Sequence, residues 1–345
     1  LSAPDPAFEH VLALPSSAPV PAGVPARDLS EQPPPGVGPY RILAVHAGRR
    51  LVLARRSDFD LPGIAAGHVD RIVVTRVASP ARQVQGVQTG ALDLMQEPAP
   101  SEVLPELRSK YRDRYREDAA ATTIALISET TSPPLDDPSV RRAISEALDS
   151  EELDRLYGGF LETTCNVLPE AVLGYRRLDP CPYGDRSQLP NLVAAEQEVK
   201  DAGATAAAVG VRSAPAVPPP VARYVVRTLR KIGLHARLGG RYGARLAIER
   251  IAPAVAHPAA FLEPLARSIF DEELTGEVTD ALDAPATEGS ADAWAAIDER
   301  LVTEAYAAPL GSERRPSFFS DRIDTANCVR AHPVFGTDLS ALCLR

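Results

Sequence analysis

Lysine occurs in this chain of 345 residues only at Lys110, Lys200 and Lys231, so its basic residues are almost all arginine. With the abundant alanine and 33 prolines, the skew reads first as the codon usage of a GC-rich genome. Arginine does bring a planar fork suited to carboxylates. No uninterrupted apolar run approaches the ~18 residues of a membrane helix, so no segment reads as a bilayer span. A net charge of −9 excludes a nucleic-acid binder that works through net positive charge. There is no phosphate-binding G-x-x-x-x-G-K-[ST] loop, no H-E-x-x-H and no G-x-S-x-G. The six histidines (10, 46, 68, 235, 257 and 332) are scattered, and none pairs at i, i+4. They read as ordinary structural or surface residues. No enzyme chemistry, cofactor or local metal site is implied. The chain opens on Leu1 without a visible signal peptide, which leaves a removed leader or a start inside a longer protein.

Hydrophobic residues at 45% and charged residues at 24% are ordinary for a globular protein, and the length suits two lobes or one large domain. The four cysteines fall in two close pairs, Cys165 with Cys181 and Cys328 with Cys343, separated by segments rich in proline and glycine. Neither pair has zinc-site spacing. Loops whose ends can meet predict two local disulfides and therefore an exported protein, each bridge contributing about 3 kcal/mol on an entropic model. The alternative is four separate buried thiols.

Residues 1–38 form a proline-rich lead-in. Tyr40–Val45 and Arg50–Arg55 flank Ala47-Gly48 as a hairpin, and Asp70–Val77 reads as a third strand. Ser79-Pro80 starts a helix, with serine as cap and proline in first position, and Gly90 stops it. Leu92–Met95 is a short strand. Ser101–Glu117 reads as a charged helix whose residues 108–118 form a solvated face. Thr122–Ser128 is a strand. Asp136-Asp137 resembles a carboxylate pair, but at a helix start it reads as capping. The helix it opens carries Val140, Ile144, Ala147 and Leu148 on one face and continues through Leu153, Leu156 and Tyr157 to Gly158-Gly159. Pro190–Ala202 is helical. Ala206–Arg212, Pro218–Ile232 and Leu234–Leu238 form a strand–helix–strand unit with a parallel pair. Arg245–Ile251 is a further strand. Phe261–Phe270 and Ala291–Tyr306 read as helices, the second placing Trp294, the sole tryptophan, on a surface helix.

Six stretches in order resemble one family, the family 5 extracellular solute-binding proteins of ABC importers, of the oligopeptide- and dipeptide-binding type. Gly36–Ile42 (GVGPYRI), a hairpin, and Val69–Val73 resemble the family's G-T-G-P-Y, hairpin and D-x-I. Val84–Asp93 (VQGVQTGALD) is similar to its helix ending in G-E-x-D. Most specific is Pro133–Asp149 (PPLDDPSVRRAISEALD), which looks like P-P-F-D-D-x-R-V-R-x-A-L-x-x-A-I-D. Leu168-Pro169, Gly174-Tyr175 and Pro182-Tyr183 follow a similar order. Leu229–Leu234 (LRKIGL) resembles L-x-x-I-G-I, and Ala305–Leu310 (AYAAPL) resembles A-P-x-x-P-L.

The resemblance implies an α/β, two-lobe periplasmic-binding-protein-like fold of type II with lobe one incomplete, because the stretch before Gly36 is shorter than in the family. It divides the chain into lobe one at 1–125, lobe two at 126–304 and a return segment at 305–345. It implies an extracellular or lipid-anchored component that closes on a small solute or peptide and delivers it to an ABC permease. The chain is expected to be a monomer, or paired with its own N-terminal fragment. A second reading is the ligand-sensing domain of a larger regulatory protein.

Where peptide binders resemble one another at W-x-A-D-Y-P-D-P, this chain reads Ile251–Pro258 (IAPAVAHP). Ile251 replaces the tryptophan, and Ala254 and His257 replace the two acids. Glu129 falls near the usual hinge asparagine. The usual contact for a peptide's amino terminus is therefore missing. Arg250, just before the altered segment, is the candidate to favour an anionic group by bidentate hydrogen bonding.

Overall fold

In the computed structural model, the described residues are 8–25, 27–239, 243–269, 271–284 and 288–345. They divide into two compact units, a larger one built on Ala119–Arg314 with the start of the chain to His10, and a smaller one of Val11–Asp118 with Arg315–Arg345.

In the smaller unit, β1 (Tyr40–His46), β2 (Arg50–Arg55) and β3 (Arg71–Thr75) form an antiparallel sheet in chain order. The expected β1–β2 hairpin is present, with Gly48 at φ +67° in its turn, a conformation that costs glycine nothing. Ser79 caps the helix Pro80–Gln88 by accepting from the Arg82 amide, with Pro80 in the first turn. β4 (Leu94–Met95) follows.

β5 (Tyr115–Ser128) carries the chain into the larger unit. There follow β6 (Leu161–Glu162), β7 (Ala208–Ser213), β8 (His235–Leu238) and β9 (Ala244–Ile251). β10 (Ala307–Phe319) carries the chain back, and β11 (Ala331–His332) with β12 (Gly336–Thr337) makes a final small hairpin. In the larger unit the sheet runs β10-β5-β9-β7-β8, with β6 beside β10. β7 is parallel to both β8 and β9, and β5 is antiparallel to β9. The parallel β7–β8 pair is joined by helix Pro219–Lys231, which buries Val221, Val225 and Leu229 on the predicted stripe. Each such burial contributes about 1.5–3 kcal/mol.

Four expectations change. The helix expected to run from Val140 to Tyr157 is two helices, Pro138–Glu146 and Ser150–Leu156. Asp149 breaks them apart. Its carboxylate accepts from the Glu151 and Glu152 amides, and its own amide donates to Tyr224 Oη, so it begins a new helix rather than continuing the old one. The charged segment 101–117 is helical only as a single turn at Ser101–Val103 followed by Leu104–Lys110. Tyr115 is already strand, buried against Phe318. The alternating charges run from the end of helix Leu104–Lys110 through a turn at 111–114 into the strand that starts at Tyr115, and Arg108 of the helix pairs with Glu117 of the strand at 2.8 Å.

The tail of the first helix in the last third also differs. Phe261–Phe270 is Pro258–Ile269, with Phe270 outside the described residues, and a further helix, Glu272–Asp283, begins on the cap Asp271. Lastly, Trp294 is not at the surface. It is 1% exposed on helix Glu288–Thr303. Gly174, at φ +84°, lies against it so closely that a β-carbon there would stand 2.8 Å from Trp294 Cβ. The four cysteines are joined as Cys165–Cys181 and Cys328–Cys343, with Cα atoms 5.7 and 5.5 Å apart.

Candidate functional site

The sequence singled out Glu129, Arg250, Ile251, Ala254 and His257, and all five lie in the larger unit. β9 sets most of their geometry. Arg245 stands near its start and Arg250 near its end, about 17 Å apart for five strand residues. Glu129, just past β5, pairs with Arg245 through Nε–Oε2 at 2.7 Å and Nη2–Oε1 at 2.5 Å. Hydrogen bonding to that guanidinium holds the Glu129 carboxyl below its ordinary range. Glu129 and Arg250 are therefore at opposite ends of one strand and do not meet.

Arg250 lies beside Ile124 of β5 in the register. Its fork is filled by Glu313 of β10, with Nε–Oε1 and Nη2–Oε2 both 2.6 Å. Tyr157 donates its hydroxyl to the same Oε1. It caps helix Ser150–Leu156, and the chain leaves it through Gly158 and Gly159 at φ +93° and +85°. Hydrogen bonding to Glu313 pushes the Arg250 pKa up. Burial, then the neighbouring Glu313 charge, pushes Tyr157 up. Arg250 is thus a half-buried cation already matched to one carboxylate, with side-chain exposures of 31% and 15% for the pair. Glu313 and Tyr157 were not visible as site candidates. They come from segments 63 and 93 residues away from Arg250 in sequence, and only the sheet order joins them.

Ile251 is half-buried at the end of β9, and Ala254 is exposed in the bend beyond it. His257 is buried at 6% exposure. Its Nδ1 accepts from the Ala259 amide at 3.3 Å, and its ring meets Trp294 edge-on at 6.1 Å. His10 stands 5.4 Å from it, ring to ring.

Two buried charges organise the same unit. Asp298 is fully buried and accepts from Asn166 Nδ2 at 2.9 Å and from the Val167 and Leu168 amides at 2.8 and 3.3 Å. Asn166 in turn donates to Arg176 O and accepts from the Leu178 amide, so these two side chains fasten the loop closed by Cys165–Cys181. Burial pushes the Asp298 carboxyl up to about 6 despite those donors. Arg141 places four hydrogen bonds on the carbonyls of Leu135, Asp136 and Glu304 and lies over the Tyr306 ring at 5.0 Å. Asp137 caps the helix on which Arg141 sits, as expected, accepting from the Ser139 amide at 2.8 Å. Among the described residues, one cluster groups three potential metal ligands, Asp324 with Cys328 and Cys343. Its two sulfurs are bonded to each other, so no thiolate is available to a metal.

The sheet order and the two strands shared between units define a two-lobe α/β binding-protein fold. Comparison with known proteins agrees. The model of the bacterial extracellular solute-binding proteins, family 5 middle region, matches residues 1–285, and the chain belongs to that family. It is 30% identical over 167 residues to the "Probable ABC transporter periplasmic-binding protein SapA" of Escherichia coli (strain K12), a match covering 47% of this chain and 30% of that protein. The chain thus spans less than a third of that curated relative in the matched region. Its fold is similar to that of the "Clavulanic acid biosynthesis oligopeptide binding protein 2", with a TM-score of 0.84 at 21% identity, over 100% of this chain and 69% of that one. HbpA2 from Haemophilus parasuis gives 0.82 at 19% identity, over 100% and 73%. No helix among the described residues is long and apolar enough to cross a membrane.

Proposed function

We propose that this chain acts as the solute-capturing part of an ABC importer, outside the cytoplasmic membrane, handing a small peptide-like solute to a permease without chemical change. Family membership supports the role. A ligand that binds the closed arrangement of two lobes better than the open one shifts their populations, and no catalyst is required.

The candidate contacts are Arg250, Ile251, Ala254 and His257, with Glu313 and Tyr157 added. Glu129 is left to its own pair with Arg245. One observation carries the choice of ligand. Neither Ala254 nor His257 offers a carboxylate, and the nearby Glu313 has both oxygens taken by Arg250. A free peptide amine finds no ready anion there. A ligand carboxylate can instead exchange with Glu313 on the Arg250 fork.

Titration calorimetry with a tripeptide and its N-acetylated form tests this reading. The acetylated peptide is expected to bind at least as tightly as the free one, and Arg250→Gln to weaken both by tenfold or more. Mass spectrometry is expected to recover the peptide intact. Nanomolar affinity for the free tripeptide that disappears on acetylation overturns the assignment.

A further inference from the structure

β9 takes part in three arginine–glutamate pairs, and they are built differently. Arg245 meets Glu129 beside it, where the Glu129 amide also donates to Arg245 O at 2.9 Å. Arg212 of β7 meets Glu249 of β9, the next strand in the sheet. Arg250 and Glu313 come instead from β9 and β10, which have β5 between them. Two strand spacings, about 10 Å, separate such backbones. The side chains meet over β5, where Ile124 is the register partner of Arg250. The Glu313 backbone is held in place. It pairs with Leu161 of β6, and the Arg314 amide donates to Phe160 O at 2.8 Å. The Glu313 carboxylate can therefore leave the fork by side-chain rotation, with no strand moving.

What it leaves behind is a place for another carboxylate. Nε and Nη2 of Arg250, each 2.6 Å from a Glu313 oxygen, are the planar pair of donors that such a group matches. A half-buried cation that loses its partner is unfavourable, so the vacated fork favours an incoming anion. The displaced carboxylate is not stranded either, because Tyr157 Oη donates to its Oε1, and a half-buried acceptor that keeps a donor avoids most of the cost of leaving.

We propose that Glu313 is a tethered competitor for the ligand's carboxylate, kept within reach by Tyr157, and that the two residues set which ligands Arg250 accepts. The proposal rests on Arg250 as the ligand's anionic contact. A carboxylate carried on a fixed strand is present at high effective concentration, so the apparent affinity of a ligand falls with the fraction of time the fork is free. A carboxamide end has one acceptor oxygen and cannot replace a bidentate carboxylate. A small free carboxylate lacks the further contacts needed to displace Glu313. The ligand selected is one whose carboxylate reaches both Nε and Nη2 while the rest of the molecule is held elsewhere.

The test uses sodium acetate, which reads the fork without the rest of a ligand. It is titrated at constant ionic strength and followed by the nitrogen resonance of Arg250 Nε, assigned from its loss in Arg250→Gln. Glu313→Gln is expected to bind acetate at least tenfold more tightly than wild type, with the fluorescence of buried Trp294 unchanged as a check on folding. Glu313→Asp, whose tether is one methylene shorter, gives a second measure and is expected to bind it at least threefold more tightly. In calorimetry, Glu313→Gln is expected to strengthen a free-acid tripeptide at least tenfold and its C-terminal amide less than twofold. Glu129→Gln, which opens the Arg245 fork instead, is expected to leave the tripeptide within twofold. Equal acetate affinities in wild type and both Glu313 variants, as when acetate meets only the outer Nη1 edge, overturn the proposal. So does a Glu313→Gln gain that extends equally to the amide. Acetate binding to Glu313→Gln with no tripeptide bound by any form supports the competitor and overturns the peptide reading instead.

Discussion

The two units reach order by different means. Of the buried apolar residues among those described, thirteen belong to the smaller unit and fifty-two to the larger. The larger unit has a mixed sheet, with Trp294, Phe261 and Leu229 among its fully buried side chains. Its buried charges, Arg141 and Asp298, are held by several hydrogen bonds each. The smaller unit has a core of Phe319, Ile323 and Leu342, with Leu94, Val329 and Leu339 around it, and a sheet whose apolar face is open. Stability is set locally by buried contacts, so units this different need not open together. Among the described residues, β1–β3 keep their strand register with far less burial behind it than β7 and β9 have.

The comparison breaks most readily at Trp294. Trp294→Ala is expected to destabilise the protein by about 3–5 kcal/mol, the usual cost of deleting a buried aromatic. Denaturant unfolding followed by circular dichroism measures it, and a loss under about 1 kcal/mol would remove Trp294 from the core of the larger unit. Arg141→Met comes next. It leaves the carbonyls of Leu135, Asp136 and Glu304 without their donor, at an expected cost of about 2–4 kcal/mol. Arg141→Lys is expected to recover only part of this, because an ammonium lacks the fork that reaches three carbonyls.

These two residues also show how far the chain could be read in advance. Hydrophobic periodicity and caps located helix Pro219–Lys231, the β1–β2 hairpin and the Asp137 cap, because each depends on neighbours in sequence. Periodicity failed at Asp149, where one side chain turned a continuous apolar stripe into two helices. It failed again at 108–118, where one alternating run of charge passes from helix through a turn into strand. Trp294 was misplaced because its cover, Gly174 and His257, comes from distant segments. The candidate site had the same weakness. Arg250 was visible in sequence, but the Glu313 that fills its fork is supplied by a strand from near the other end of the chain. Partnership across a sheet is fixed by strand order, which local pattern does not carry.

Asp298 sharpens the comparison through pH. Its folded-state carboxyl lies at about 6 against an ordinary 3.8, so the folded form binds the proton more tightly than the unfolded chain. Its contribution is fully present below about pH 4 and is lost as pH rises through 6, after which it is constant. The expected fall is on the order of 2–3 kcal/mol between those limits. Denaturant midpoints at pH 4, 5, 6 and 7, compared with Asp298→Asn, measure it. The variant is expected to lose this segment of the slope, and an unchanged slope would assign the pH dependence elsewhere.

The smallest effect is expected on the open sheet. Val74→Thr removes apolar surface that is already 46% exposed, so it is expected to change global stability by less than about 0.5 kcal/mol. The same substitution in a covered sheet would cost more, because the hydroxyl would need a partner. Hydrogen exchange supplies the complementary reading. Amides of β2, including Val52 and Leu53, lie between two strands, and sheet pairing alone would protect them as well as those of β7. If burial sets the free energy of opening, β2 amides exchange faster than those of Val209 and Val211, both nearly inaccessible in β7. A Val74→Thr loss above 1 kcal/mol, or equal protection in β2 and β7, would mean that the face of β1–β3 is covered in solution by part of this chain, and the contrast between the units would close.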